Sequence, residues 1–130
     1  MSIHYHIDHE QRLVIATPRE VLTDADMFDY QREVWSRPDT RGYNELVDMT
    51  GVSQIEFASA DRMTELAALS KSMDSPSAST KLAIVAADNL HFGLGRMYET
   101  YRHLEKKGNK EVSVFRTRRE ALQWLGVGSR

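Results

Sequence analysis

The chain of 130 residues has the length of one domain, and 41% apolar with 28% charged residues is an ordinary globular composition. It contains no cysteine, which excludes disulfides, thiolate metal sites and cysteine nucleophiles. The formal net charge of −2 provides no global field that would attract nucleic acid or anionic lipid. The first residues do not resemble a signal peptide, and no apolar run approaches the ~20 residues of a membrane-spanning helix. We therefore expect a single cytoplasmic domain over residues 1–130, without stable membrane insertion and without a nucleic-acid partner.

A β-hairpin is predicted at the start of the chain. Apolar or aromatic residues alternate from Ile3 to Ile7, and a run rich in branched residues follows from Arg12 to Thr17. Four polar residues separate the two runs, which favours two antiparallel strands joined by a turn. Such a hairpin leaves an exposed sheet edge, so a homodimer is one expectation that the sequence allows.

Helices and strands alternate after the hairpin. Thr23 can cap a first helix that ends at Arg37-Pro38, and Glu45 to Met49 forms a short buried strand. A second helix covers Met63 to Met73, followed by a polar loop. The remaining segments are a strand at 81–87, a helix at 90–106, a strand at 111–116 and a helix at 117–125. The order β-β-α-β-α-β-α-β-α predicts an α/β fold, with a mixed sheet of about five strands and helices packed on it.

The long helix at 90–106 carries an apolar stripe at helical spacing. We expect this stripe to face the core, and helix-on-sheet layers with methionine and tyrosine can leave an apolar cavity. Its members are Leu94, Met97, Tyr98, Tyr101 and Leu104.

A basic cluster stands at the end of the same helix. Positive charge there complements the helix dipole, and a membrane-surface patch is the alternative interpretation. The cluster consists of Arg102, His103, Lys106, Lys107 and Lys110.

Three stretches carry a resemblance to a known family. They are V-D-M-T-G-V-S-Q-I-E-F-A-S-A at 47–60, F-G-L-G-R-M at 92–97 and E-A-L-Q-W-L at 120–125. Together with the element order they resemble the STAS domain of anti-sigma-factor antagonists, and most of all the small bacterial SpoIIAA-like proteins, also described as STAS/Sec14-like. The resemblance covers nearly the whole chain. It implies a STAS-like fold firmly and a regulatory function only weakly.

The phosphorylation switch of the antagonists can be placed on this sequence. In that family an aspartate, two serines and a glycine form a strand-to-helix turn, and the second serine accepts the phosphate. Aligned without a gap, the aspartate falls on Glu56, the acceptor on Ala58 and the glycine on Ser59. Ser59 lies one place late, a rotation of about 100° on a helix. The turn with Asp48, Glu56 and Ser59 is therefore either a switch that binds a partner or, as the sequence favours, a turn in which Ser59 or Asp61 caps the second helix.

A candidate ligand loop follows the buried strand at 81–87. In open α/β sheets, ligands often bind beyond the carboxyl ends of the strands. The glycine spacing here does not match a dinucleotide fingerprint or a P-loop. The alternative is that an Asp or Asn caps the next helix while the glycines allow close packing on the sheet. The loop's candidate residues are Asp88, Asn89, His91, Gly93, Gly95 and Arg96.

The hairpin invites a metal hypothesis. His4 and His6 share one face of a strand, and Asp8, His9 and Glu10 follow in the turn, a workable zinc or copper set. The alternative is an ordinary solvent face of an edge hairpin. The alternation favours the second interpretation, and we predict no metal and no cofactor.

The sequence contains no recognisable catalytic set. Asp48 and Asp88 follow neighbouring parallel strands, and two close carboxyls could share a proton for acid–base chemistry. We instead predict a non-enzymatic regulatory or interaction module that binds a protein partner or a small ligand. The alternatives are a carrier of an apolar, lipid-like or anionic ligand under the long helix, and a small acid–base enzyme.

Overall fold

The computed structural model describes residues 3–105 and 108–128. The strands are β1 (Ile3–Asp8), β2 (Leu13–Pro18), β3 (Glu20–Thr23), β4 (Asn44–Asp48), β5 (Val52–Glu56), β6 (Thr80–Val85) and β7 (Lys110–Phe115). The helices are α1 (Asp24–Trp35), α2 (Ala60–Ser72), α3 (Asn89–Leu104) and α4 (Arg118–Leu125), with a 3-10 turn at Pro38–Thr40.

The main sheet has five strands in the order β1-β2-β4-β6-β7. β1 pairs antiparallel with β2, and the other neighbours are parallel. This confirms the predicted mixed sheet, the opening hairpin and the position of β1 at an edge.

A second sheet of two parallel strands, β3 and β5, was missed from the sequence. Leu22 of β3 lies opposite Ile55 of β5, and the register shifts between Glu20 and Val21. Both strands are short and half exposed, and their pairing joins segments 33 residues apart. Because neither strand has a strong pattern of its own, only the tertiary fold reveals the pair.

Helices cover both faces of the main sheet. Along β2, Val14 and Ala16 belong to a large core shared with α1 and with the inner side of α3. The alternate residues Leu13 and Ile15 pack on α4 in a smaller core. A strand buried on both faces reads as a continuous apolar run, which is why β2 was recognisable in the sequence.

Local signals at two helix starts are confirmed. Thr23 and Asp26 form a capping box, with each backbone N–H bonded to the other side chain at 3.1 Å. Thr117 caps α4 by accepting from the Glu120 N–H at 3.2 Å, and α4 ends at Gly126 with φ of 76°.

The predicted apolar stripe of α3 faces inward only in part: half-buried Tyr98 packs against the large core, as expected, but Met97 and Leu104 do not. His91, Gly95 and Arg102 are the buried residues of this helix. Met97 is 42% exposed and Leu104 66% exposed, although both were expected in the core. The helix is therefore rotated relative to the prediction, so that one side of the stripe, with Met97 and Leu104, faces solvent.

Close packing at Gly95 and a buried ion pair account for this rotation. A Cβ on Gly95 would lie 3.1 Å from Val114 Cγ1 and 3.4 Å from Ile84 Cγ2, so the helix rests directly on the sheet there. One turn from the end of α3, the buried Arg102 donates to both carboxylate oxygens of Asp74 at 2.8 and 2.9 Å. A small residue and an ion pair thus take the inward positions.

The predicted basic cluster is confirmed in part among the residues that the structure describes, because Arg102 and His103 lie in the last turn of α3. Arg102 is paired with Asp74, and Lys110 lies 3.3 Å from Glu45 with both side chains buried. Lys106 and Lys107 lie outside the described residues. Two of the five cations therefore serve the interior rather than a surface patch.

Candidate ligand-binding cavity

A cavity of about 80 Å³ lies between the main sheet and helices α1, α2 and α3. Most of its lining is apolar, with Val47 and Ile84 from the sheet and Leu66 from α2. Half-buried Phe57 and Leu94 also line it, so the cavity reaches the surface between α2 and α3.

Methionines make part of the wall adaptable. Met27, Met49 and Met63 come from three different parts of the chain and line the same cavity. Methionine has three rotatable bonds and a polarizable sulfur, so it repacks around guests of different shape. The cavity can therefore widen around a guest at low cost in packing energy.

Glu45 brings a buried carboxylate to the inner end of the cavity. Its Oε2 accepts from the Tyr30 hydroxyl at 2.7 Å and from Trp35 Nε1 at 3.2 Å, while Lys110 Nζ lies 3.3 Å from Oε1. Burial, together with the nearby Glu45 charge, raises the pKa of Tyr30 well above its ordinary value. Three protein donors therefore hold the Glu45 carboxylate in place.

Two other polar lining residues also have partners in the protein. Gln31 Nε2 donates to Met73 Sδ at 3.5 Å. Burial raises the pKa of Tyr98 to about 12, against the smaller lowering effect of a hydrogen bond with Ser70. Both side chains help to close the cavity.

His91 is a polar residue of the described cavity wall whose ring carries a buried nitrogen without a hydrogen bond. It is 6% exposed. Its backbone N–H donates to Asp88 Oδ1 at 2.8 Å, and its ring Nδ1 lies 2.8 Å from Asp88 Oδ2 without hydrogen-bond geometry. The N–H bond and the nearby imidazole lower the pKa of Asp88. His91 therefore presents a polar group, oriented by a carboxylate, in an otherwise apolar wall.

The predicted ligand loop is divided by the structure. His91 and Gly95 line the cavity, and Asp88 caps α3. Asn89, Gly93 and Arg96 are exposed. The capping and close-packing interpretations are therefore correct for Asp88 and Gly95.

The predicted switch turn is also divided into separate local contacts. Asp48 lies against α4, where Arg118 donates to it at 3.0 Å. Glu56 ends β5 and accepts from Gln54. Ser59 occupies the N-cap position of α2, yet its side chain makes no cap hydrogen bond. The expectation of a Ser59 side-chain cap is therefore wrong, and the hydroxyl is left on the surface.

The two carboxyls of the enzyme hypothesis do not show the proton sharing that it requires. Partial burial acts to raise the pKa of Asp48, but hydrogen bonds from Thr50 and Arg118 outweigh it and lower the pKa. The pKa of Asp88 is lowered as well. A shared proton would raise one of the two pKa values.

The histidines of the hairpin lie on the surface. His4 and His6 are exposed on β1, and His9 Nδ1 lies 2.8 Å from the Tyr43 hydroxyl. Asp8 is buried and accepts from the Gln11 N–H at 3.0 Å. Across residues 3–105 and 108–128, no three His, Cys, Asp or Glu side chains come together in a way that could hold a metal ion.

Sequence reasoning missed Glu45 and Gln31 as cavity residues. Glu45 starts the run E-L-V-D-M, and a charged residue at the head of a buried strand is a signal that could have been followed. Gln31 carried no signal beyond its helical spacing.

Among the described helices, none is both long and apolar enough to span a bilayer.

Comparison with known proteins supports the fold. No family model matches the sequence, and no curated protein matches it. A crystal structure from Shewanella loihica, of an uncharacterized protein from the DUF3478 family with a SpoIIAA-like fold, is similar with a TM-score of 0.62. The two chains are 18% identical, and the match covers 95% of this chain and 94% of that chain. At this identity the likeness concerns architecture alone: this chain has a SpoIIAA-like fold.

Proposed function

We propose that the protein is a non-enzymatic binding module that holds a small, mainly apolar ligand in the cavity beneath α3. The cavity is the observation that carries this proposal, because its walls are apolar, adaptable and open to the surface between two helices. A ligand that binds the folded state and not the unfolded chain would raise the free energy of unfolding.

The proposed ligand class follows from a buried polar group in the described cavity wall. Glu45 already accepts from three protein donors, whereas the ring Nδ1 of His91 lacks a well-formed hydrogen bond. A ligand with an apolar body and one hydroxyl or carboxylate would place that group against His91. Medium-chain alcohols and fatty acids fit this description.

Calorimetric titration with 1-octanol, octanoate and benzene tests the proposal. All three should bind, and Met63→Trp, which narrows the cavity, should weaken all three at least tenfold. Leu69→Trp, on the same helix but outside the lining, should leave binding unchanged. His91→Phe should weaken octanol and octanoate by about five- to tenfold, the worth of one hydrogen bond, and spare benzene. The proposal would be refuted if the wild-type protein bound none of the three ligands.

A second candidate function is a partner-binding switch at Ser59. The observation in its favour is the exposed Ser59 hydroxyl at the start of α2, which no cap bond occupies. A phosphate there would face the positive end of the helix. Mass spectrometry of protein purified from its own host tests this candidate: a phosphate mapped to Ser59 supports it, and an unmodified chain in all growth phases argues against it.

A further inference from the structure

His91 meets the cavity beside a carboxylate of its own helix cap. Its side chain is buried and lines the cavity. The ring Nδ1 is fully enclosed and lies 2.8 Å from Asp88 Oδ2. Because that nitrogen is covered, a ligand in the cavity can form a hydrogen bond with the ring only at the other nitrogen, Nε2. The protonation of Nε2 therefore decides which polar groups the ring can bind.

The cap of α3 holds the Asp88 carboxylate in this position. Its Oδ1 accepts from the His91 backbone N–H at 2.8 Å, and the Asp88 carbonyl accepts from the Phe92 N–H at 2.9 Å. The backbone thus fixes one carboxylate oxygen, and the other lies beside the ring. The His91 N–H bond, together with the nearby imidazole, lowers the pKa of Asp88, so this carboxylate is charged at neutral pH.

The carboxylate determines which nitrogen of a neutral imidazole carries the proton. A neutral ring has one N–H and one nitrogen with a lone pair. A lone pair on Nδ1 would lie 2.8 Å from an anionic oxygen and be repelled, whereas an N–H at that place is attracted even when the two are poorly aligned. Nδ1 therefore holds the proton, and Nε2 is left as an acceptor.

We propose that Asp88 makes His91 a hydrogen-bond acceptor toward the cavity, so that the cavity selects ligands whose polar group donates a hydrogen bond. This inference rests on the proposed function and narrows its ligand class, because it places alcohols before fatty acids. A hydroxyl can donate to Nε2 directly. A carboxylate has no proton to donate, so it binds only when one proton is taken up, either by Nε2 or by the carboxylate itself.

The titratable groups that share the described cavity wall with the imidazole are Glu45 and Tyr98. Glu45, from β4, lies 3.3 Å from Lys110 of β7, which balances its charge. Burial raises the pKa of Tyr98 to about 12, so its hydroxyl is neutral at physiological pH. The described lining from α1, α2 and the β3–β5 sheet carries no ionisable side chain. Outside the cavity, Arg116 donates to the Ala87 carbonyl, just before the cap, at 3.0 Å.

Nuclear magnetic resonance tests the tautomer without a ligand. Long-range hydrogen–nitrogen spectra distinguish protonated from unprotonated ring nitrogens, and His91→Phe identifies the His91 signals among the five histidines. At about pH 8 we expect a proton on Nδ1 and none on Nε2. Asp88→Asn keeps a good N-cap residue, but its amide can donate to Nδ1, so the proton should move to Nε2. A wild-type ring protonated at Nε2 would overturn the inference.

Calorimetric titration tests the selection of ligands. From about pH 7 to 9, the Kd of 1-octanol should stay constant, whereas octanoate should weaken by up to about tenfold per pH unit because it takes up a proton. Titrations in buffers of different ionisation enthalpy count that proton, and 1-octanol should take up none. In Asp88→Asn, octanoate binding should no longer depend on pH. Asp61→Asn removes an exposed carboxylate at the start of α2 and should keep the wild-type profile.

The outcomes separate this inference from the proposed function. Octanoate that binds without proton uptake, or a pH profile that Asp88→Asn leaves unchanged, would overturn the selection of donors while the cavity remains a binding site. If 1-octanol, octanoate and benzene all failed to bind, the proposed function would be overturned, and this inference with it.

Discussion

Gly95→Ala should destabilise the protein even though alanine is the better helix former. The exchange gains about 1 kcal/mol of helix propensity. Against this, the new Cβ would lie 3.1 and 3.3 Å from the two methyls of Val114 and 3.4 Å from Ile84 Cγ2. Both neighbours are buried and β-branched, so they cannot rotate away cheaply. Overpacking of this kind costs about 1–3 kcal/mol, and we expect a net loss of about 1 kcal/mol.

Gly93→Ala is the matched control on the same helix. Two residues earlier, a Cβ would meet nothing within 4 Å, so this variant should gain the full propensity of about 1 kcal/mol. The two variants should therefore differ by about 2 kcal/mol, a separation of roughly 8 °C in Tm for a domain of this size.

Urea unfolding followed by tryptophan fluorescence measures this difference. Val114→Ala removes the two closest methyls, so Gly95→Ala should be less harmful in that background, with a favourable coupling of about 1 kcal/mol. Equal stabilisation by Gly93→Ala and Gly95→Ala would refute the argument that contact at Gly95 fixes the rotation of α3.

Three further predictions concern buried charge and pH. Arg102→Met leaves the buried Asp74 carboxylate without its cation and should lower the free energy of unfolding in urea by about 3 kcal/mol. The double variant Arg102→Met with Asp74→Leu should recover most of this loss. Equal losses of stability in the single and the double variant would contradict this prediction. The pKa of Asp48 is lowered by Thr50 and Arg118 against the effect of burial, so its stabilising effect is present above about pH 4 and is lost as the pH falls through the lowered value. Asp48→Asn should therefore make the free energy of unfolding depend less on pH below about pH 4. An unchanged pH dependence would show that the Asp48 carboxylate does not contribute to it. Burial raises the pKa of Tyr98 to about 12, so the folded state binds this proton more tightly and loses stability between about pH 10 and 12. In an ultraviolet titration, Tyr98→Phe should remove one of the phenolate components that form at high pH. If the variant kept all of these components, the assignment to Tyr98 would be contradicted.

Local sequence signals were sufficient for much of the fold. The alternating residues of β1 and the branched run of β2 predicted the hairpin, and Thr23 and Thr117 predicted two helix starts. These features depend on neighbours within a few residues, where periodicity and capping act directly. Asp88 could be predicted as a cap for the same reason.

The candidate site could be predicted only in part. The sequence pointed to His91 and Gly95 through their place after a buried parallel strand, and the structure places both in the cavity wall. It gave no means of joining them to Glu45 and Gln31, which come from β4 and α1. A cavity is a property of several packed elements, so no single stretch of chain encodes it.

The sequence by itself determined the order of the four helices and of the five strands of the main sheet, the antiparallel start and most helix ends, because each is a local property of pattern and capping. Tertiary structure decided the β3–β5 pair, the ion pair of Arg102 with Asp74 and the rotation of α3. The spacing of apolar residues shows that a helix has an apolar face, but it does not show which element or molecule covers that face. On its inward side α3 carries Gly95, in close contact with the sheet, and Arg102, paired with Asp74 from a distant part of the chain. Both contacts depend on residues that only the folded chain brings together, so the spacing of apolar residues could not reveal them.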